Sequence, residues 1–313
     1  MNKQTKKEIR GLAVKILMVV LALGLAFWGY AFVYRGRTEP PAKYLVTNQD
    51  AAVYSLRGQI QMLSQKEDLI AFAFEDRKKE KESGTYIIPG LPHVGGLAYD
   101  PEHDMLWYSS NTNGIAQAIS IKMDVLRNYS YADNRMPVQV NQTCNLYGIV
   151  RDSFMTFYKG CLYVGCFNKY TESTIARYEV DDEGNLVNTF DEGLGMTFEM
   201  AVPLDYSTIS EQAQGMAFYH DKLLLSHSFG ILPSRVVFYE QSDKRLYVNE
   251  NSARSYRFPE MIEQIVVDED DLYVLFESGA YAYRGYAGNV VDRVLKLSLP
   301  KMESYVEKQN EAE

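Results

Sequence analysis

Cysteine and histidine are scarce in this sequence, which has three cysteines and four histidines in 313 residues. No two cysteines have the CxxC spacing of a zinc site and no histidines cluster near them, so we predict no metal site, and no motif points to a cofactor. Cys161 and Cys166 are oddly spaced in one predicted strand, which directs them to opposite faces and argues against a bond between them. Cys144 could bond either one, or all three could be buried thiols.

Positive charge is scarce outside the amino-terminal segment. The chain carries 32 Lys and Arg against 41 Asp and Glu, a formal net charge of −9. Residues 1–37 hold seven basic residues and one acidic residue, so the remaining chain is more acidic than the whole. An acidic domain is a poor partner for the phosphates of nucleic acid, and we expect no nucleic-acid binding.

Only one long apolar run occurs, at residues 12–34, with Lys15 as its single charge. At about 1.5 Å per residue, a helix of this length crosses the ~30 Å hydrocarbon layer of a bilayer. Residues 1–11 are richer in basic residues than the segment after the run, which predicts a cytoplasmic amino terminus. We therefore expect a single-pass protein of the cell membrane, with the lipid bilayer as a partner and an extracytoplasmic main domain.

A cleaved signal peptide has the same order of basic and apolar sequence and is the alternative to an anchor. The apolar run ends in bulky residues, including Phe27, Trp28 and Tyr30, without a small-x-small cleavage pattern. This ending favours an uncleaved signal anchor. Residues 35–43, with two adjacent prolines, are then predicted to form a short stiff stalk.

Helical periodicity is scarce in the rest of the chain, whereas β-hairpins recur. Four two-strand units with short polar turns begin near Leu97, Phe154, Gly215 and Gln264, at intervals of about 55 residues. Each unit is followed by more strand-like sequence, and four strands per repeat are typical of a propeller blade. A β-sandwich would explain the strands but not their recurrence.

The repeat length sets the predicted number of blades. Residues 44–88 supply one further repeat length without a clear hairpin. We therefore predict an all-β protein with a five-bladed β-propeller over residues 44–300, with six blades as the alternative, followed by a charged, solvated tail at 301–313. Four residues should occupy equivalent inner-strand positions around one axis: Leu97, Met155, Met216 and Ile265.

Hairpin geometry also sorts the polar residues between the two ends of the propeller. The start of a first strand lies beside the end of its antiparallel partner, which places these residues at one end, here called the mouth. His103 and His220 fall in the connecting turns at the opposite end. The predicted ligand-binding residues of the mouth are His93, Asn111, Arg151, Asn168, Gln214, His227, Glu263 and Glu277.

A polar mouth of this kind has two possible uses. It could bind a polar small molecule, a peptide or a protein, and a histidine with two carboxylates could perform general acid–base catalysis. The alternative is that each of these side chains only satisfies the backbone of its own loop. The residues alone leave these possibilities open.

The segment Gln214-Gly215-Met216 resembles the Gln-Gly-apolar opening of a blade in glutaminyl cyclotransferases. The repeat region, roughly 90–300, is similar at this level to the exported bacterial β-propellers that also include gluconolactonase and strictosidine-synthase-like proteins. The Glu-Gly-Pro and Pro-Asn-Gly patterns of gluconolactonases are absent, so neither their metal site nor their lactone chemistry is implied. The resemblance implies a propeller and assigns no catalytic residue.

Two hypotheses for function follow. The first is a membrane-anchored extracytoplasmic propeller that serves as a binding or scaffolding module. The alternative is a propeller enzyme, namely a hydrolase, lyase or cyclotransferase, with its site at the mouth. A fold that serves both classes does not decide between them, and the absence of a catalytic motif favours binding.

Overall fold

The computed structural model describes residues 14–26, 75–76, 86–89, 94–130, 136–190, 199–280 and 283–310. The predictions for residues 1–11, for the stalk at 35–43 and for His93 lie outside these ranges.

Residues 14–26 form helix α1, whose side chains are all exposed. In the part of the chain that the structure describes, no helix has both the length and the hydropathy that a membrane span requires. The predicted span, residues 12–34, continues beyond α1 at both ends into residues outside the described ranges.

Blades one and two each consist of a four-stranded antiparallel meander with added outer strands. Blade one contains β2 (Leu97–Asp100), β3 (Met105–Thr112), β4 (Ile115–Lys122) and β5 (Gln142–Leu146), then β10 (Glu199–Ala201) and β9 (Asn188–Phe190). A short helix, α2 (Met123–Arg127), follows β4. Blade two contains β6 (Phe154–Tyr158), β7 (Cys161–Gly165), β8 (Ser173–Glu179), β11 (Asp205–Ile209) and β15 (Leu246–Tyr247).

Blades three and four are four-stranded. Blade three contains β12 (Ala213–Tyr219), β13 (Lys222–His227), β14 (Ser234–Glu240) and β16 (Arg254–Phe258). Blade four contains β17 (Ile262–Asp268), β18 (Asp271–Phe276), β19 (Leu295–Ser298) and β1 (Glu75–Asp76). Single 3-10 turns occupy Asn249–Asn251 and Glu277–Gly279, and helix α3 spans Leu299–Asn310.

The described residues therefore form an all-β propeller of four blades, and the predicted count of five is wrong for them. Strand β1 comes from the segment predicted to be a separate blade. It pairs instead with β19, with Glu75 opposite Lys296, and forms the outermost strand of blade four. The apolar composition of residues 44–88, without a hairpin, is not enough to predict a blade. A single strand from such a segment can instead complete the edge of a sheet that is formed by distant parts of the chain.

The inner hairpins confirm the predicted equivalence of Leu97, Met155, Met216 and Ile265. Each lies three residues before the last pair of its hairpin, opposite Tyr108, Val164, Leu225 and Val274 respectively. The hairpin turns of blades two to four begin with a residue of positive φ: Lys159 at 47°, His220 at 50° and Glu269 at 51°. A left-handed turn residue suits the right-handed twist of the flanking strands.

Apolar side chains fill the spaces between successive blades. Trp107 and Leu162 are fully buried between blades one and two, Leu225 between two and three, and Leu224 between three and four. The inner strands approach closely, since a Cβ on Gly215 would lie 3.0 Å from the Glu263 carbonyl oxygen. The Gln264 side chain donates to the Leu97 carbonyl at 2.7 Å and links blade four to blade one.

Helix α3 gives structure to part of the segment predicted as a charged tail. Its first turn packs on blades three and four, where Met302 is buried. The Met302 carbonyl accepts a hydrogen bond from the Tyr256 hydroxyl at 2.7 Å, and the Glu303 carbonyl accepts one from Arg254 at 2.9 Å. The charged composition of 301–313 did not reveal this packing.

Candidate functional site

The inner strands of blades three and four carry equivalent β-bulges at the mouth. The pairing register shifts between Ala213 and Gly215 in β12 and between Ile262 and Gln264 in β17. Gln214 and Glu263 are therefore the extra residues of two matching bulges. Since a bulge redirects the side chain that it leaves outside the ladder, these two predicted mouth residues have a common structural cause.

The backbone around the two bulges is also the same. The residues two positions earlier, Gln212 and Met261, have φ values of 65° and 66°. Their carbonyls accept hydrogen bonds from the amides of Ser228 and Glu277, at 2.9 and 2.8 Å. These bonds hold the start of the inner strand against the end of the second strand, so the mouth of each blade is a fixed loop pair.

Glu263 has an unusual environment for a carboxyl group. The residue is only partly exposed, and its Oε2 atom is buried without a hydrogen-bond partner among the described residues. Burial, followed by the nearby charge of Glu277, raises the pKa of Glu263 to about 8. Desolvation penalises the carboxylate and a like charge adds to that penalty, so Glu263 is largely protonated at neutral pH.

Glu277 and Tyr283 complete a small group that we call the acidic mouth cluster, defined as Glu263, Glu277 and Tyr283. Glu277 is the first residue of the 3-10 turn after β18. Its charge is the largest influence that raises the pKa of Tyr283, and the two side chains also share a hydrogen bond. Tyr283 is 40% exposed, so the cluster extends from the buried Glu263 to the surface.

Buried polar contacts fix the loop that supports this cluster. Glu260 is buried and its two carboxylate oxygens accept from the backbone and side-chain nitrogens of Asn289, at 2.7 and 2.9 Å. Buried Arg284 donates to the Gly279 carbonyl at 2.6 Å, and the Ser278 hydroxyl accepts from the Val291 amide at 3.0 Å. The segment that carries Glu277 and Tyr283 is thus tied to blade four at several points.

His227 belongs to a different group from the acidic mouth cluster. It lies opposite Ala213 at the end of β13, and its Nδ1 is 2.8 Å from the Glu211 carbonyl oxygen. Burial lowers the pKa of His227, so the ring is neutral and Nδ1 donates this bond. The charged residues that act on the ring are Arg235 and Glu211, not the two mouth glutamates. His227 therefore does not form the arrangement of one histidine with two carboxylates that the sequence allowed.

Two other predicted residues satisfy their own loops. The Asn111 side chain accepts from the Gly114 amide at 2.9 Å, inside the turn between β3 and β4. The Asn168 side chain accepts from the amides of Tyr170 and Thr171, at 3.1 and 3.3 Å. Arg151 is exposed just before β6. Among the predicted mouth residues, Gln214, Glu263 and Glu277 lie on neighbouring blades, and Asn111 and Asn168 accept bonds from the backbone of their own loops. Ligand binding by any of them stays a prediction.

Sequence reasoning missed Asp152 and Tyr283. Asp152 is 9% exposed, accepts a hydrogen bond from the Ser110 amide at 2.7 Å, and has its pKa raised by burial to about 7. Alignment of the blades would have revealed it, because the equivalent positions in blades three and four are apolar, Ala213 and Ile262. No sequence signal distinguished Tyr283 from the many other tyrosines.

The remaining predictions concern the end of the propeller opposite the mouth, here called the turn end, and the three cysteines. His103 and His220 lie in hairpin turns at the end opposite the mouth, as predicted, and His103 Nδ1 is 2.7 Å from the Asp100 carboxylate. No disulfide bond joins any of Cys144, Cys161 and Cys166, all of which lie in the described ranges. Within the described ranges, no group of three or more His, Cys, Asp or Glu side chains is arranged to hold a metal ion.

Comparison with known proteins identifies no particular family for this chain. No family model and no curated protein matches the sequence. An aldose sugar dehydrogenase from Streptomyces coelicolor, solved with PQQ bound, is 13% identical with a TM-score of 0.37, over 67% of this chain and 81% of that one. The WD40 domain of coronin from Toxoplasma gondii is 12% identical with a TM-score of 0.35, over 66% and 48%. Both are propellers, and the assignment of this chain to the propeller fold rests on its own four-bladed topology.

Proposed function

We propose that this propeller is a binding module whose ligand presents a cationic or hydrogen-bond-donating group to the acidic mouth cluster. The observation that carries the proposal is the buried Oε2 of Glu263, which has no hydrogen-bond partner among the described residues and lies near a second carboxyl group. A buried polar atom without a partner costs about 1–3 kcal/mol, and a donor on a ligand would recover that cost. A ligand ammonium group would also favour the ionised form of Glu263, because its positive charge would offset the repulsion from Glu277.

The test compares two ligands and two variants. Butylamine should bind the full-length protein measurably more tightly than butanol, its uncharged analogue, in isothermal titration calorimetry. Glu263→Gln should weaken amine binding about tenfold or more, because a bound ammonium group would hold Glu263 in its ionised form and the glutamine cannot supply that charge. Glu269→Gln makes the same charge change on an exposed turn at the other end of the same hairpin and should leave binding unchanged. Equal affinity of both variants would contradict the proposal.

A specific observation supports a second candidate function, that of a hydrolase, lyase or cyclotransferase. The environment of Glu263 keeps its carboxyl group protonated at a pH where an ordinary glutamate is ionised, and Glu277 lies close enough to influence it. Two carboxyl groups in different protonation states can act as general acid and general base. Esters and peptides with an amino-terminal glutamine are suitable test substrates.

The two functions differ in what the variants lose. If the protein is an enzyme, its turnover should fall as the pH rises through about 8, because catalysis would need Glu263 in its protonated form. Both Glu263→Gln and Glu277→Gln should then abolish turnover while substrate binding persists. Binding of a ligand without any turnover across the substrate set would favour the binding module.

We also propose that residues 12–34 anchor the protein in the cell membrane, with the propeller outside the cytoplasm. The support is the apolar run with one charge and the excess of basic residues before it. Protease added to intact cells should then digest the propeller, and a carboxyl-terminal tag should be accessible from outside. A protected tag, or release of the protein from membranes by alkaline carbonate, would contradict this arrangement.

A further inference from the structure

A cavity of about 270 Å³ lies between blades two and three at the turn end, opposite the mouth. Arg177 and Asp205 are paired near the end of β8 and the start of β11, and Phe218 precedes the turn of the β12 hairpin. Buried Ile175 and Leu223 form an apolar floor that continues the core between these blades. The site is therefore a pocket with a fixed base, separate from the acidic mouth cluster.

Two arginines share one carboxylate in this cavity. Arg177 donates to Asp205 Oδ2 through Nε at 2.8 Å and also through Nη2, and Arg245 pairs with Asp205 Oδ1. Each oxygen of Asp205 thus already accepts from a guanidinium group, so this carboxylate is poorly placed to receive a ligand cation. The cluster keeps a net positive charge, and the opposing acid in the lining, Asp243, is exposed on the surface.

Backbone bonds hold the segment that carries Arg245, directly before β15, as the chain passes from blade three to blade two. After β14 the chain leaves blade three, and β15 pairs in parallel with β11. The Thr208 amide donates to the Arg245 carbonyl at 2.9 Å, and Arg245 has a φ of 49°, in the left-handed region that few non-glycine residues adopt. The surroundings thus hold Arg245 in an unfavourable backbone conformation that places it beside Asp205.

Aromatic rings form the wall beside these arginines. The Phe218 ring stacks on Tyr158 with centroids 4.1 Å apart, and Tyr163 packs against Phe218 at 4.8 Å with a tilt of 59°. The Tyr158 hydroxyl donates to the His220 carbonyl at 3.0 Å, which links the two blades at this point. Phe218 and Tyr163 remain partly exposed and line the cavity, so a rigid aromatic surface faces the charged group.

We propose that this cavity binds a small compound in which a flat ring carries an oxyanion, either a carboxylate or a phosphate. Guanidinium groups match the geometry of both oxyanions, and an aromatic wall favours a ring over an aliphatic chain. The volume is below that of common drug-sized pockets and suits a compound with a single ring. The arginines position the anion, and Tyr163 and Phe218 contact the ring.

Calorimetry on the full-length protein tests the ligand class with four probes. Phenyl phosphate and benzoate distinguish the two oxyanions, and binding of either supports the proposal. Inorganic phosphate should bind at least about tenfold more weakly than phenyl phosphate if the ring contributes. Benzylamine, with the same ring and the opposite charge, should not bind. The proposal would be overturned if benzylamine bound more tightly than both phenyl phosphate and benzoate. It would also be overturned if phenyl phosphate and inorganic phosphate bound with equal affinity.

Three single-charge variants locate the site. Arg245→Gln should weaken binding of the preferred anionic probe about tenfold or more. Lys244→Gln removes the same charge from the exposed neighbouring residue, which does not line the cavity, and should change affinity less than about twofold. Asp243→Asn removes the opposing acid and should tighten binding by about two- to fivefold. Equal effects of Arg245→Gln and Lys244→Gln would overturn the assignment.

A further variant tests the aromatic wall and guards against a folding defect. Phe218→Leu keeps an apolar side chain and should weaken phenyl phosphate more than inorganic phosphate. Circular dichroism should show native secondary structure in all four variants. If Arg245→Gln fails to fold, Asp243→Asn and Phe218→Leu still decide the question, since unchanged affinity in both would overturn the proposal.

Discussion

Blades one and two differ from blades three and four at one position of the inner strand. Five residues before the last pair of the hairpin, blades three and four have the bulge residues Gln214 and Glu263. The equivalent residues in blades one and two are Gly95 and Ser153, and each takes part in a bond between a backbone amide and a serine hydroxyl. The Gly95 amide donates to the Ser109 hydroxyl at 3.0 Å, and the Ser153 hydroxyl accepts from the Phe167 amide at 3.0 Å.

This difference at the inner strand distinguishes blades one and two, where the position serves structure, from blades three and four, where the candidate site lies. In the first two blades the mouth is formed by short polar side chains that close loops. In the other two, a bulge turns a longer polar side chain out of the ladder, and the buried Oε2 of Glu263 has no hydrogen-bond partner within the described ranges. The same hairpin repeat can therefore serve packing in one half and candidate chemistry in the other.

The largest expected effect concerns the packing between blades one and two, which have no bulge residue of this kind. Leu162→Ala removes a fully buried side chain between blades one and two and should lower the free energy of unfolding by about 2–5 kcal/mol. Urea unfolding measures it, with Val150→Ala as the control, since Val150 is 77% exposed and its truncation should cost less than about 0.5 kcal/mol. Similar losses in both variants would show that blades one and two lack the packed core described above.

The second-largest effect tests how closely the inner strands of blades three and four approach each other beside the bulges. Gly215→Ala places a Cβ 3.0 Å from backbone atoms of Glu263, Gln264 and Ile265, so the inner strands of blades three and four must separate. We expect a loss of about 1–3 kcal/mol in urea unfolding, as for other overpacked sites. Ser242→Ala, in an exposed loop, serves as the control. An unchanged Gly215→Ala protein would mean that blades three and four are less tightly packed than blades one and two.

Stability should depend on pH through Glu263 in blade four and through Asp152 in blade two, because burial raises the pKa of both carboxyl groups. The pKa of Glu263 is raised from its ordinary value of 4.5 to about 8 in the folded protein, so the folded state binds the extra proton between these pH values. The unfolded state binds fewer protons there, and stability should therefore fall as pH rises, by at most about 1.4 kcal/mol per pH unit from this group. Above pH 8 the slope should level off.

Two variants isolate that contribution. Glu263→Gln cannot ionise, so its unfolding free energy should be flatter between pH 5 and pH 8, and it should be more stable than the parent at about pH 8. Glu269→Gln should keep the parental slope, because Glu269 is exposed at the other end of the hairpin. Urea unfolding at several pH values measures both. A parental slope in Glu263→Gln would assign the titration to another group, with Asp152 as the next candidate.

The smallest effect concerns a mouth residue that only closes its own loop. Asn111→Ala removes one exposed side-chain bond to the Gly114 amide and should cost no more than about 1 kcal/mol of stability. Its amine binding should equal that of the parent, whereas Gln214→Ala should weaken amine binding and change stability little. Calorimetry and urea unfolding of the pair measure both quantities. Weaker amine binding by Asn111→Ala would extend the candidate site to blade one.

The sequence by itself determined the hairpins and their order. Alternating apolar and aromatic residues around short polar turns are local signals, since a strand pair of this kind forms between neighbours in the chain. For that reason the equivalence of Leu97, Met155, Met216 and Ile265, and the placement of His103 and His220 at the turn end, could be predicted. The grouping of Glu263 with Glu277 at one end followed from the same hairpin geometry.

Tertiary structure alone decided the features that depend on distant partners. The residues Glu75–Asp76 became the edge strand of blade four because Lys296 and Leu295 supplied the unpaired edge, more than two hundred residues away. The raised pKa of Glu263 comes from burial, which the hairpin pattern does not encode. Arg177, Asp205 and Arg245 meet only because the connection between β14 and β16 of blade three crosses to blade two, where β15 pairs with β11. Burial and charge pairing act through space, so one-dimensional spacing could not reveal these contacts.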